Sequence, residues 1–304
     1  MAEDSAAEPA GPLARAAEPA GPRARAAEPA GPRVFNGAVP EGTVHRADSG
    51  GVATLTLERG DTNALDGPST DLLVAALDAC AADRGVRAVV LTGAGRRFCA
   101  GADLSHGPRS ISVVLENDGG QLPGYREPAG RIVLAMARLG KPLIAAVNGD
   151  AVGGGATISL AADLRFVADT ARFGFPFTRL GVCPEGASTY FLPRLVGAGR
   201  ANDWLLSGRL IPADEAERSG LANRVLPAAQ VVPAAQAYAR QLAETTSAAA
   251  VAVTRALLAA APTSAVQASD AESREIVGLA HGADCVEGVG AFLERRPPRF
   301  APPG

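Results

Sequence analysis

An excess of charge of either sign is missing from this chain. Lys and Arg number 29 and Asp and Glu 32 among 304 residues, a formal net charge of -3. No basic run of five or more residues occurs, so the electrostatic footprint of a nucleic-acid-binding protein is absent. Long apolar runs are missing too: none approaches the roughly 20 residues that a membrane-spanning helix requires. The N-terminus lacks the basic-then-apolar order of a signal peptide. These absences lead us to expect a cytoplasmic protein with no nucleic-acid partner and no membrane insertion. Cysteine is sparse, and Cys80, Cys99, Cys183 and Cys285 stand singly, without the close pairs of a zinc site or the density of a disulfide scaffold. Reduced thiols and no metal are expected.

Apolar residues are plentiful, and 47% hydrophobic content is ample for a real core. Large apolar side chains are scarce in the first 33 residues, where "AAEPAGPLAR", "AAEPAGPRAR" and a truncated "AAEPAGPR" follow one another. Repeated Pro and Gly interrupt any helix, and almost no large side chain is on offer for burial. Residues 1–40 are therefore expected to be a disordered extension. From 41 to 210 the pattern is that of a folded core, and from 211 to 304 it is helical and alanine-rich.

Within the core, "VATLTLE" (52–58) alternates as a half-buried strand does, and "NALD" leads into a helix near Pro68. "VRAVVLT" (86–92) and "PLIAAVN" (142–148) are short apolar runs of the kind found in buried strands. Each precedes a glycine-rich turn and a helical pattern, which predicts an α/β architecture. Later helices are expected at 231–243, 246–260, 264–280 and 286–296.

The two glycine turns carry the chemistry. In "RRFCAGADLSH" (96–106), Ala100, Gly101 and Ala102 let the backbone approach a ligand, and Asp103 is placed to cap a helix starting there. In "NGDAVGGGATISLAAD" (148–163), Gly153, Gly154 and Gly155 run into a short apolar helix. A glycine-rich turn at a helix start aims unpaired N–H groups outward, and two such turns from successive strands can place two donors on one oxygen, an oxyanion hole. Neither cluster has the Gly-Lys-Ser/Thr ending of a phosphate loop.

With "NALD" at 63–66, "FCAGADL" at 98–104, "KPLIAAVNGDAVGGGATISLAADLRF" at 141–166, "ARFGFP" at 171–176, "LPRLVG" at 192–197 and "EGVGAFLERRPPRF" at 287–300, the chain from about 42 to 300 resembles the crotonase, or enoyl-CoA hydratase and isomerase, superfamily. The resemblance implies a β-β-α superhelix with a helical C-terminal trimerisation region, a homotrimer or dimer of trimers, and an acyl-CoA thioester as substrate, coenzyme A being part of that substrate and no separate cofactor needed. It also implies that the N–H groups of Ala102 and Gly154 hold a thioester enolate, with Ala100, Gly101, Asp103, Leu104 and Gly153 shaping the site. Arg96 and Arg97 are candidates for coenzyme A phosphates, and solvent exposure explains them equally well.

Hydratase-type members carry one glutamate in the glycine-rich helix and another farther along. Thr157 and Phe177 occupy those positions here. A subset resembling the peroxisomal-type 3,2-enoyl-CoA isomerases instead has its base in a "PEG" turn, and Pro184, Glu185 and Gly186 match it. One carboxylate suffices to take a proton from C2 and return one to C4. The expectation is an enoyl-CoA isomerase with Glu185 as proton shuttle. Hydration, decarboxylation, thioester hydrolysis and non-catalytic acyl-CoA binding remain open on the same fold. So does a plainer role for Glu185 as a favourable charge at a helix start, worth about 0.3 to 1 kcal/mol. The helix start lowers its pKa and an apolar surrounding, such as Phe173, Phe175 and Phe177, raises it, and the sequence leaves that balance open. Thr157 is a possible substrate donor or a cap on its own helix, and His106, Asp150 and Cys183 are read as a solvated loop residue, a turn residue and an unactivated thiol. Residues 105–128 are expected to form a mobile loop over the acyl pocket.

Overall fold

The computed structural model describes residues 42–117, 119–120 and 122–300, and the N-terminal repeat lies outside them. The chain enters as an antiparallel hairpin, β1 (Thr43–Ser49) and β2 (Val52–Glu58), followed by α1 (Gly67–Ala82). A unit of one longer strand, one three-residue strand and a helix then recurs. It runs through β3 (Ala88–Gly93), β4 (Arg97–Cys99), α2 (Ser110–Asn117) and α3 (Pro128–Arg138), then β5 (Leu143–Val147), β6 (Asp150–Val152) and α4 (Gly154–Leu160). It returns as β7 (Leu164–Ala168), β8 (Arg172–Gly174), α5 (Ser188–Val196) and α6 (Ala198–Ser207). The chain closes with β9 (Leu210–Pro212), α7 (Ala213–Arg218), β10 (Arg224–Leu226), α8 (Ala228–Thr245), α9 (Ala248–Ala259), α10 (Ala265–Ala280) and α11 (Ala283–Glu294).

The longer strands, joined at one edge by the three-residue β10, form a six-stranded sheet in the order β1-β2-β3-β5-β7-β10, parallel from β2 onward, and the other three-residue strands a second sheet in the order β4-β6-β8-β9. This is the β-β-α superhelix expected, with the helical C-terminal region present. Strands β3 ("AVVLTG") and β5 ("LIAAV") are buried at every residue, as parallel strands covered on both faces must be. Strand β2 departs from the alternation read in "VATLTLE": only its last residues reach the surface. Helix α8 lies across β2, β3, β5 and β7 and covers the threonine face, where the Gln236 amide donates to Thr54 Oγ1 at 3.0 Å.

The "NALD" loop ties the layers together. Asn63, at φ 50°, accepts the Arg59 N–H and donates to the carbonyls of Ala94 and Arg97, fastening the loop to the β3–β4 turn. Asp66 and Ser69 exchange side-chain-to-backbone bonds at 2.8 and 2.9 Å, a capping box that starts α1. Helices α9, α10 and α11 have one fully buried residue among them, Ala291, and leave Leu258, Ile276, Val286 and Phe292 exposed.

Candidate active site

The two glycine turns meet. A β-bridge joins Leu65 to Ala102: Leu65 N–H donates to Gly101 O at 2.7 Å and Asp103 N–H to Leu65 O at 3.2 Å. Between those bonds the Ala102 N–H takes no partner among the described residues. Gly101, at φ 83°, faces the second turn so closely that a Cβ there would lie 2.6 Å from Val152 O and 2.9 Å from Gly154 N. Gly153 occupies the N-cap of α4 at φ 53°, and the first intrahelical bond runs from Thr157 N–H to Gly153 O. Gly154 N–H, one of the first orphan donors of α4, is likewise unpaired among the described residues. Two fixed donors at one corner can stabilise an oxyanion, each by about 3 kcal/mol of barrier.

Glu185 reaches the same corner. Its half-buried carboxylate lies against Gly154, where a Cβ would stand 2.9 Å from Oε1. It shares a small cavity of about 40 Å³ with Leu65, Ala102, Ile111, Leu115, Pro128 and Ala129. Burial, helped by the negative charge of Glu127, pushes its pKa up to about 7. The shift is in the direction that an apolar surrounding gives. The apolar surrounding is aliphatic, however: Phe173, Phe175 and Phe177 are buried but do not line this cavity.

The turn carrying Glu185 is tightly held. Gly186 is at φ 58° and a Cβ on it would fall 2.7 Å from Thr157 Oγ1 and 3.2 Å from Ala129 Cβ. The Thr157 hydroxyl donates to Gly154 O at 3.0 Å, so it caps its own helix as the plainer expectation had it. Position 157 thus supports the turn that bears the carboxylate instead of bearing one itself.

Other expectations change. Asp103 caps no helix. One of its oxygens accepts the Ser105 N–H at 2.8 Å and the other the Arg59 guanidinium at 2.7 Å, and Arg59 also reaches Asp66 at 3.0 Å. Burial pushes the Asp103 carboxyl up, but the bonds from Arg59 and Ser105 outweigh it and its pKa lies below the ordinary value. This buried pair pins the Ala102 loop from below. The segment 105–128 is not all loop: Ser110, buried, opens α2, and Ile111 and Leu115 of that helix form one wall of the cavity. The helical spacing of those apolar residues was present in the sequence but was masked by flanking Gly and Pro.

Leu104 is half exposed, Ala100 N–H is taken by Thr62 O, and His106 and Cys183 are exposed and off the cavity wall. Asp150 is paired with Arg172. Arg96 and Arg97 are exposed at the β3–β4 turn and line an open groove of about 1160 Å³ with Asn148, Asp150 and Arg172. That groove shares no lining residue with the Glu185 cavity. Sequence reading missed Glu127, which is distant in sequence and meets the Glu185 turn by accepting the Gly186 N–H. Among the described residues no group of His, Cys, Asp and Glu is arranged to hold a metal ion.

Comparison with known proteins gives the family. The family model described as enoyl-CoA hydratase/isomerase matches residues 47–303. The chain belongs to the enoyl-CoA hydratase/isomerase family. An enoyl-CoA hydratase of Alternaria alternata is 38% identical over 255 residues, covering 83% of this chain and 84% of that protein. The 1,2-epoxyphenylacetyl-CoA isomerase of Escherichia coli is 34% identical over 252 residues, covering 82% and 95%. A crystal structure of an enoyl-CoA hydratase from Bacillus anthracis superposes with a TM-score of 0.76 at 31% identity, covering 86% of this chain and 99% of that one. As a member of the enoyl-CoA hydratase/isomerase family, the protein is an acyl-CoA-processing enzyme.

Proposed function

We propose that this enzyme moves the double bond of a 3-enoyl-CoA to the 2-enoyl position, with Glu185 as proton carrier. The observation that supports it is that, among the described residues, Glu185 is the one ionisable side chain on the cavity wall, set against Gly154 and beside Ala102. In this reading the Glu185 carboxylate takes a proton from C2. The electron pair of the broken C–H bond moves into the thioester, and the enolate oxygen is held by the N–H groups of Ala102 and Gly154. The resulting dienolate accepts the proton at C4 from the Glu185 carboxylic acid, the double bond settles between C2 and C3, and the base is regenerated. A group with a pKa of about 7 serves both steps, because neither protonation state is costly near neutral pH.

A second reading, hydration, has the name of the Alternaria alternata relative in its favour. It requires an attacking water and a partner acid, and Thr157 and Phe177 provide no carboxylate for it. Around the reacting centre, the reading assigns Gly101, Gly153 and Thr157 to shaping the corner, and Arg96 to a coenzyme A phosphate, supported by its place on the wall of the open groove. It also includes a homotrimer or dimer of trimers, supported by the exposed apolar residues of α9–α11. A cytoplasmic location accords with the fact that no single helix among the described residues is long and apolar enough to cross a membrane.

The test is conversion of a 3-enoyl-CoA to its conjugated isomer, followed by absorbance, with product masses recorded. Conversion by the wild type and loss in Glu185→Gln are expected. Equal rates remove Glu185 from the mechanism, and a product heavier by one water establishes hydration instead.

A further inference from the structure

We propose that Glu127 is a positioning residue for Glu185, fixing the Pro184–Gly186 turn through a hydrogen bond and setting a negative charge beside the Glu185 carboxyl group. The proposal rests on Glu185 being the proton carrier.

Glu127 immediately precedes α3, and its Oε1 accepts the Gly186 N–H at 2.7 Å. That N–H belongs to the peptide joining Glu185 to Gly186, so the contact acts one bond from the residue it positions. The Glu127 side chain folds back over the first turn of α3. A Cβ on Gly130 would lie 2.6 Å from Oε1 and 2.9 Å from Oε2, so residue 130 must be glycine for this pose. A helix start is also a favourable place for negative charge.

The turn needs such a tether. Gly186 and Ala187 are both left-handed, at φ 58° and 52°, and a non-glycine residue there costs on the order of 1–3 kcal/mol. Thr157 and Ala129 bear on the turn by packing alone, whereas Glu127 supplies a directional bond.

Among the described residues, several other charged groups around the site have partners of their own. On the loop before α2, Asp103 pairs with Arg59, and Asp66 shares that cation. On α3, Arg131 pairs with Asp71 and Arg138 with Asp78. Arg109, just before α2, and Glu116 on that helix face each other in solvent, and on α5 Arg194 stacks over Tyr190. Cys99 of β4 is neutral, its thiol pushed up to about 12 by burial, with Glu185 adding to the shift. From α4 come Gly154 and Thr157, neither ionisable. Burial and the Glu127 charge are what raise Glu185 to about 7.

Two variants separate the bond from the charge. Glu127→Gln keeps an oxygen for the Gly186 N–H and removes the charge, and Glu127→Ala removes both. The Glu185 carboxyl is read directly in the free protein by pH titration of its side-chain carbon in ¹³C-glutamate-labelled enzyme, assigned by its absence in Glu185→Gln. In parallel, kcat and KM for 3-enoyl-CoA are followed against pH. Removing a like charge favours the ionised form, so Glu127→Gln is expected to lower the Glu185 midpoint by roughly half a unit or more. The acid limb of kcat/KM should move down with it. Glu127→Ala is expected to lose about tenfold or more in plateau kcat, with KM little altered, and Glu127→Gln to recover most of that loss. An unmoved midpoint in Glu127→Gln, or a plateau kcat in Glu127→Ala equal to wild type, overturns the proposal. A shifted midpoint together with a fully active Glu185→Gln retains Glu127 as a positioning residue and sinks the proton-carrier reading instead.

Discussion

Glu185 and Gly154 are in contact at one corner of the fold: a Cβ on Gly154 would stand 2.9 Å from Glu185 Oε1 and 3.3 Å from Leu65 Cδ1. The carboxylate and the Gly154 backbone therefore share a space that a Cβ on residue 154 would enter. Gly154→Ala is expected to displace the carboxylate from its attack position and lower kcat/KM by on the order of 100-fold. Far-UV circular dichroism should stay at wild type while steady-state kinetics show the loss.

The raised pKa of Glu185 sets the direction of the pH profile. Burial and the Glu127 charge disfavour the carboxylate, so below about pH 7 the group is protonated and unable to accept the C2 proton. The kcat/KM of the free enzyme should rise with pH through about 7 and level off above it. A limb near the ordinary carboxylate range of about 4 to 5 would show that the cavity is wetter than the structure has it.

The same shift makes a stability prediction of opposite sign to the usual acidic pair. Because the folded state holds the proton more tightly than the unfolded one, the contribution of Glu185 to stability is present at low pH and is lost as pH rises toward about 7. Glu185→Gln mimics the protonated form and cannot ionise. At pH 8 it should be more stable than wild type by on the order of 1–3 kcal/mol, allowing for partial exposure, and the difference should vanish near pH 4. Urea titrations at both values measure this.

Arg59 is the support beneath the Ala102 loop. It bridges Asp103 at 2.7 Å and Asp66 at 3.0 Å from a buried position. Arg59→Met leaves two carboxylates without their cation and is expected to cost about 3–5 kcal/mol at neutral pH. Since Arg59 holds the Asp103 pKa down, that deficit should shrink as the medium is made acidic and Asp103 protonates. Thermal unfolding of both forms at pH 7 and pH 4 reads the two slopes.

The alternation of strand and helix, the paired glycine turns and the isolated PEG carboxylate were legible in the sequence because each rests on local chemistry: buried apolar runs, backbone positions open only to glycine, and a helix start. Glu127, Ile111 and Leu115 were not, since their relevance arises where separate segments pack around one cavity. Phe173, Phe175 and Phe177 failed for the complementary reason. Their hydrophobicity was correctly read as burial, but burial in the core does not place a ring against Glu185. Thr157 was legible in both senses, as a missing carboxylate and as a hydroxyl capping its own helix.

The most direct test is hydrogen exchange at C2 of a bound acyl-CoA in deuterium oxide, followed by mass spectrometry for wild type and Glu185→Gln. A proton-carrying Glu185 predicts deuterium incorporation at C2 in the wild type and a loss of at least about 100-fold in the variant. Incorporation at equal rates in both would contradict the central claim.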